Sequence, residues 1–235
     1  MSLHHPEGLG GIGPSGAYEG NAVDRRRPEP LGVARVVRGT ETDSDFEVTP
    51  SRKTFYDVGA NVVFFTLFGA RCVGSSGRIV AVEPLPRNIE LMEKHLAIND
   101  ISNVRVVGKA ISDFVETVWF SVEGHSTSRL STEGQIPVEV TTLDALVEEL
   151  GVPPDLVKVD IEGAEIQLLK GAKKVLQEFR PVVFIAVCSK KIFDNLFEMA
   201  PRLEYGVEEL GGTDLRSAEF CSEVVLIPAE LRTGQ

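Results

Sequence analysis

Cysteine, tryptophan and histidine are scarce in this chain, with three, one and four residues among 235. Cys72, Cys188 and Cys221 are odd in number and far apart, each in an apolar segment with no second cysteine or histidine at ligand spacing. That spacing argues against a disulfide framework and against a metal site, and predicts buried, reduced thiols in a reducing compartment. Positive charge is also short. Against 35 acidic residues stand 24 Lys and Arg, giving a net charge of -11 and a pI near 4.9. Such a chain repels a phosphate backbone and an anionic membrane surface, so neither nucleic acid nor membrane is an expected partner. Long hydrophobic runs are missing too. The longest nearly uncharged stretch, Val58 to Ala70, is interrupted by Asn61 and followed by Arg71, well short of the roughly 20 apolar residues of a membrane span. No basic-then-apolar leader opens the sequence, and the cytoplasm is the expected location.

What is present is ordinary globular composition, 43% hydrophobic and 25% charged, enough for one sizeable core. Residues 1–30 stand apart: they are dense in glycine and proline, lack apolar periodicity, and bury too little to offset their ordering entropy. A disordered tail is predicted there, with His4, His5 and the run Arg25 to Arg27 solvated. Residues 31–235 are expected to form a single domain with its core over 53–228.

From Lys53 onward, strand-like and helix-like segments alternate. "KTFYDVG", "GRIVAVEP", "NVRVVGKAIS", "LVKVDIEG", "PVVFIAVC", "YGVEEL" and "CSEVVLIP" read as strands, and "VETVWFSV" as an extended piece. Helices are predicted over Val62 to Val73, Pro86 to Asn99, Ala164 to Glu178 and Lys191 to Ala200. Strands apolar on both faces, alternating with helices, predict an α/β fold: a doubly wound, mostly parallel sheet with helices on both faces. Ligands of such sheets sit beyond the carboxyl ends of the strands. The polar residues found there are Asp57, Glu83, Ser112 with Asp113, and Asp160 with Glu162.

The turn after the first strand selects among ligands. Gly59-Ala60-Asn61-Val62-Val63-Phe64 keeps only the first glycine of a dinucleotide loop, and Asp57 adds a negative charge beside the would-be phosphates. A pyrophosphate fits badly. A zwitterionic, adenosine-bearing ligand fits better, with Asp57 accepting from an ammonium and backbone N–H groups at the helix start taking a carboxylate. Glu83, at the end of the second strand, is placed to accept from ribose hydroxyls. An amino acid joined to a ribose describes S-adenosylmethionine.

The run "FYDVGANVVFFTLFGARCVGSSGRIVAVEPLPRNIELMEKHLAINDISNVRVVGKAISD", followed by "TTLDAL" and "LVKVDIEGAEIQLLKGAKKVL", resembles the FkbM family of S-adenosylmethionine-dependent methyltransferases. The resemblance extends from Lys53 to Pro228. It implies the seven-stranded, Rossmann-like sheet of class I methyltransferases with the last strand antiparallel. It also implies methyl transfer, usually to an oxygen of a sugar, polyketide or other small metabolite. By the same resemblance, Asp57, Gly59 and Asn61 face the methionine end of the cofactor, Glu83 the ribose, and Ser112 with Asp113 the adenine. Asp160 and Glu162 would face the sulfonium and the acceptor as the catalytic pair. Two carboxylates at one strand end can orient a hydroxyl, deprotonate it, or bind a cation, although no metal is implied. The partner is then a small-molecule acceptor, selected by loops such as Gly124 to Pro137. The sequence leaves oligomeric state open.

Plainer readings cover the remaining polar residues. Glu165 is an acid at a helix start, stabilising its dipole. His125 lies in a polar surface loop, His95 is a partly exposed helix residue, and Trp119 is core. The chain also departs from the family pattern. Val63 stands where G-A-N-I-G has glycine, and the fifth strand offers Ala186 and Cys188 where a glutamate is common. Those departures keep a second reading alive, a methyltransferase-fold binding protein without catalysis. A nucleotide-dependent oxidoreductase is disfavoured by Asn61 and Val63.

Overall fold

In the computed structural model, residues 53–122, 128–131, 136–187, 189–212 and 222–232 are described. The tail with His4, His5 and Arg25 to Arg27 lies outside them, as do His125, Cys188 and Cys221.

Alternation along the strands sorts the core into two layers. In β1 (Thr54–Val58) and β2 (Arg78–Val82), Tyr56, Val58, Val80 and Val82 face one side. There they pack against Leu143, Leu146 and Val147 of α3 (Leu143–Leu150), Leu168 and Leu169 of α4 (Glu165–Lys170), and Leu196 of α5 (Lys190–Met199). Phe55, Ile79 and Ala81 face the other side, against Ala70 of α1 (Phe64–Val73) and Met92 and Leu96 of α2 (Pro86–Ile98). Each fully buried aliphatic side chain contributes about 1.5–3 kcal/mol, which is why helices cover both faces.

The remaining strands are β3 (Val104–Val107), β4 (Ala110–Ile111), β5 (Glu116–Val122), β6 (Ser128–Ser131), β7 (Ile136–Thr141), β8 (Leu156–Val159), β9 (Val182–Val187), β10 (Tyr205–Gly212) and β11 (Ser222–Pro228). Seven form the main sheet in the order β10-β11-β9-β8-β1-β2-β3. Pairings along β9-β8-β1-β2-β3 are parallel, and β11, the last strand, runs antiparallel to both its neighbours. Strand order therefore reverses between β1 and β8, and that is where such sheets bind ligands.

A second, four-stranded sheet, β4-β7-β5-β6, was not legible in the sequence. The expected third strand breaks at Gly108 and Lys109. Its continuation, β4, leaves β3 and pairs with β7. The predicted helix from Ala164 to Glu178 is also broken, at Gly171. There Asp144 accepts from the backbone N–H of Lys174 (3.0 Å) and Val175 (2.8 Å), starting a separate π-helical turn over Val175–Phe179. Two further expectations are corrected. Trp119 is 49% exposed, because the alternation of β5 gives the buried side to Phe120. Cys72, expected to be buried, is exposed near the end of α1.

Candidate active site

The ends of β1, β2 and β8 bring five of the proposed residues together. Gly59 leaves β1 with φ 78°, and a Cβ there would collide with the carbonyl oxygen of Asp160. Only glycine allows this approach of the two loops. The amides of Gly59 and Ala60 both donate to the Val82 carbonyl, at 3.0 and 3.1 Å, which ties the turn to β2. Asn61, at φ 50°, sends its N–H to Glu83 Oε2 at 3.0 Å. Glu83 Oε1 accepts from the Leu85 amide at 3.1 Å and from Asn88 Nδ2 at 3.0 Å. Glu83 is thus the fastener between the turn and the start of α2. It is buried, and burial raises its pKa against the lowering effect of those three donors.

Asp57 is buried more deeply than Glu83. It has no exposed surface, Thr66 donates to its Oδ2 at 2.6 Å, and Lys158 Nζ stands 3.5 Å from its Oδ1. A ligand ammonium would meet it only after displacing Lys158. Loss of hydration pushes the Asp57 pKa up, and Lys158 and Thr66 pull it back down. Lys158 also lies 3.4 Å from Asp160 Oδ2 and 4.5 Å above the Phe65 ring. Asp160 itself is 41% exposed by its side chain. Lys158 was not singled out from the sequence, although a lysine inside the apolar strand "LVKV" was a signal that it has a buried partner. In the parallel register its partner is Asp57.

Glu162 is exposed at φ 51°, with Gly163 following at φ 116°. Glu165 does not behave as an exposed dipole acid. It is 1% exposed, and its Oε1 accepts from the Gly163 amide at 2.9 Å, closing the turn back on itself. Ser112 and Asp113 belong to a separate contact set. Ser112 is buried, its amide donates to Thr141 O at 2.9 Å, and a Cβ on Gly171 would collide with its carbonyl oxygen. Asp113 is exposed. Among the described residues no group of three or more His, Cys, Asp and Glu is arranged to hold a metal ion, and no helix is long and apolar enough to cross a membrane.

Val63 supplies the missing glycine's backbone without being glycine. It takes φ 115° and ψ -5° at the start of α1, and its side chain turns into the cluster of Ala60, Ala81, Met92 and Leu96. The valine therefore does not fill the turn. Among the described residues no side chain caps α1, so its first-turn N–H groups are available to an anionic ligand group. These features fit an S-adenosyl cofactor: an uncapped helix start, a glycine-tight loop, and a strand-end carboxylate with acceptor capacity left on Oε2. A concavity of about 650 Å³ lies at the opposite strand ends around Thr54, Arg78 and Asp155, the wrong end for ligands in this sheet type.

A seven-stranded sheet of this order, with an antiparallel strand inserted next to one edge, is the class I methyltransferase fold. It superimposes with a TM-score of 0.54 on the crystal structure of Methyltransferase FkbM from Methylobacillus flagellatus KT, at 20% identity over 75% of this chain and 44% of that one. With a TM-score of 0.50 it matches Aeropyrum pernix fibrillarin, solved with natively bound S-adenosyl-L-methionine, at 11% identity over 78% of this chain and 70% of that one. The chain belongs to the FkbM methyltransferase family, since the Methyltransferase FkbM domain model matches residues 57–210. Among curated relatives, the hexuronic acid methyltransferase AglP of Haloferax volcanii is 29% identical over 54% of this chain. The methyltransferase sdnD of Sordaria araneosa is 28% identical over 55% of it. This chain spans 53% and 65% of those two proteins' lengths.

Proposed function

We propose that this protein is an S-adenosylmethionine-dependent methyltransferase acting on a hydroxyl oxygen of a small, polyhydroxylated metabolite. The observation that carries the reading is the fastening of the Gly59 turn to β2 through Asn61 N–H and Glu83 Oε2, directly beside an uncapped helix start. S-adenosylmethionine, when bound, supplies an electrophilic methyl group on a sulfonium. Glu83 Oε2 would accept from a ribose hydroxyl, the first-turn amides of α1 would take the methionine carboxylate, and Ser112 with Asp113 would hold the adenine. Asp160, the more accessible carboxylate of its pair with Asp57, would orient the acceptor hydroxyl and take up its proton, with Glu162 assisting. Transfer from a sulfonium is intrinsically favourable, so alignment of donor and acceptor is most of what the residues contribute. A hydroxyl-rich acceptor is supported by AglP, whose name specifies a hexuronic acid; the O-linkage rests on the chemistry of such acceptors.

Calorimetric titration with S-adenosylmethionine, S-adenosylhomocysteine and NAD tests the cofactor. Binding of the first two in roughly the micromolar range, weakened at least about tenfold by Glu83→Ala through loss of the ribose acceptor and of the turn's fastening, is the expected result. Transfer of labelled methyl to uronic acids and other polyols then tests the acceptor. Binding of NAD in place of the sulfonium ligands would overturn the reading in favour of an oxidoreductase. Cofactor binding without transfer to any hydroxylated acceptor would favour a methyltransferase-fold binding protein.

A further inference from the structure

Lys158 is placed between two carboxylates of unequal accessibility. Its Nζ is 3.5 Å from Asp57 Oδ1, which is fully buried, and 3.4 Å from Asp160 Oδ2, which reaches the surface. The lysine side chain is only 12% exposed, and its ammonium is held from a third side by the face of the Phe65 ring, 4.5 Å away. Among the described residues Asp57 Oδ1 has no hydrogen-bond partner in its buried position, and its ion-pair partner is this lysine. The three groups occupy adjacent strand ends at the point where sheet order reverses. Two carboxylates and one ammonium leave one net negative charge there.

We propose that the Asp57–Lys158–Asp160 trio sets the charge of the cofactor site, and that Lys158 is the specificity-determining residue which limits its preference for a sulfonium over a thioether. This rests on the reading of Gly59 and Glu83 as an S-adenosyl site. Methyl transfer breaks the S–C bond, leaves its electron pair on sulfur, forms the O–C bond and releases the hydroxyl proton. The ligand thereby goes from a cationic sulfonium to a neutral thioether. A site with two uncompensated carboxylates holds the cation tightly before transfer, and interaction energy spent on the ground state does not speed the chemical step. Lys158 removes one of those two charges. The residue is a positioning group as well, because it holds the Asp160 carboxylate at 3.4 Å.

The distinguishing measurement is the ratio of dissociation constants, S-adenosylhomocysteine over S-adenosylmethionine, taken by calorimetry at low salt. Lys158 is best removed in an Asp57→Asn background, where no buried carboxylate is left unpaired. By charge count, Asp57→Asn brings the trio to zero and lowers the ratio by about five- to tenfold, as one unit charge about 4 Å away does under water-like screening. Adding Lys158→Met restores one negative charge, and the ratio returns to within about twofold of the parent. Asp160→Asn, at an accessible position, lowers the ratio in the same direction as Asp57→Asn and keeps the charge count testable if an Asp57 variant does not fold. A role confined to packing would move both affinities together and leave the ratio unchanged. Equal ratios in the parent, Asp57→Asn/Lys158→Met, Asp57→Asn and Asp160→Asn, with both ligands bound, would therefore sink the proposal. Failure of the parent chain to bind either ligand would instead sink the cofactor reading beneath it.

Discussion

Replacing Val63 by alanine and by glycine should give an inverted order of stabilities. At a buried helix start of ordinary geometry glycine is the worse replacement. Relative to alanine it loses a further carbon, worth about 0.8 kcal/mol, and adds about 0.5–1 kcal/mol of conformational entropy to the unfolded chain. It would trail by about 1.5 kcal/mol. Val63 is not in ordinary geometry. Its φ of 115° belongs to glycine, yet a β-branched residue occupies it, 95% removed from solvent by its 5% exposure. A non-glycine residue in such a region costs about 1–3 kcal/mol, and alanine keeps that cost because it keeps its Cβ.

Taking about 2 kcal/mol for the strain, glycine gains roughly what it otherwise loses and about 0.5 kcal/mol more. Val63→Ala should then be the less stable variant, lower than the parent by about 1.5–2.5 kcal/mol for two lost methyl groups and the space they leave. Val63→Gly should match it or exceed it by about 0.5 kcal/mol. Urea unfolding of the three proteins, compared at equal m-values, reads the order directly. If Val63→Gly falls 1 kcal/mol or more below Val63→Ala (an order-of-magnitude margin from), the strain assigned to this backbone does not exist.

The remaining expectations concern the same loops. Gly59→Ala should destabilise by about 3 kcal/mol or abolish folding, since a Cβ at φ 78° must displace the Asp160 carbonyl; thermal unfolding within about 2 °C of the parent would contradict that contact. Burial raises the Asp57 pKa above its unfolded value of 3.8, so the folded chain holds that proton to higher pH than the unfolded chain does. Its contribution to stability is full below the unfolded pKa and is lost as pH rises through the folded one. Asp57→Asn carries no such loss, and the stability of this variant minus that of the parent should rise with pH from about pH 4; a flat or falling difference in urea titrations would refute the sign.

Strand ends were the legible part of the site, for a physical reason. A strand buried on both faces tolerates polar groups only where it emerges, so Asp57, Glu83 and Asp160 stand out against "TFYDV", "RIVAV" and "LVKV". Their depth was not legible. Asp57 sits one residue short of the end of β1, and that single residue of recession places it in a buried ion pair with Lys158. The second sheet was hidden because β4 is only two residues long and has no periodicity to read. Helix α4 was overextended because Leu168, Leu169, Val175 and Leu176 are all buried. Their pattern continues across Gly171, and the break depends on Asp144 from another helix, which no local window contains.

The sequences "DVGAN" and "KVDIEG" are informative together because they form one interlocked structure. Asp57 registers against Lys158 across a parallel pair, and Gly59 lies so close to the Asp160 backbone that no side chain fits between them. Neither half has a reason to exist alone. A lysine in β8 without Asp57 would be a cation buried beside a single surface carboxylate, and Asp57 without Lys158 would be an unpaired charge in a dry interior, destabilising by about 3–5 kcal/mol. A glycine after β1 would have no close neighbour to accommodate. Substitutions in the two segments must therefore be strongly non-additive, as groups sharing one network are, and Asp160, the carboxylate proposed to meet the acceptor, inherits its position from residues on both. In the proposed reaction, the geometry of transfer is decided less by any single acid than by how tightly the β1 turn is held against the β8 loop.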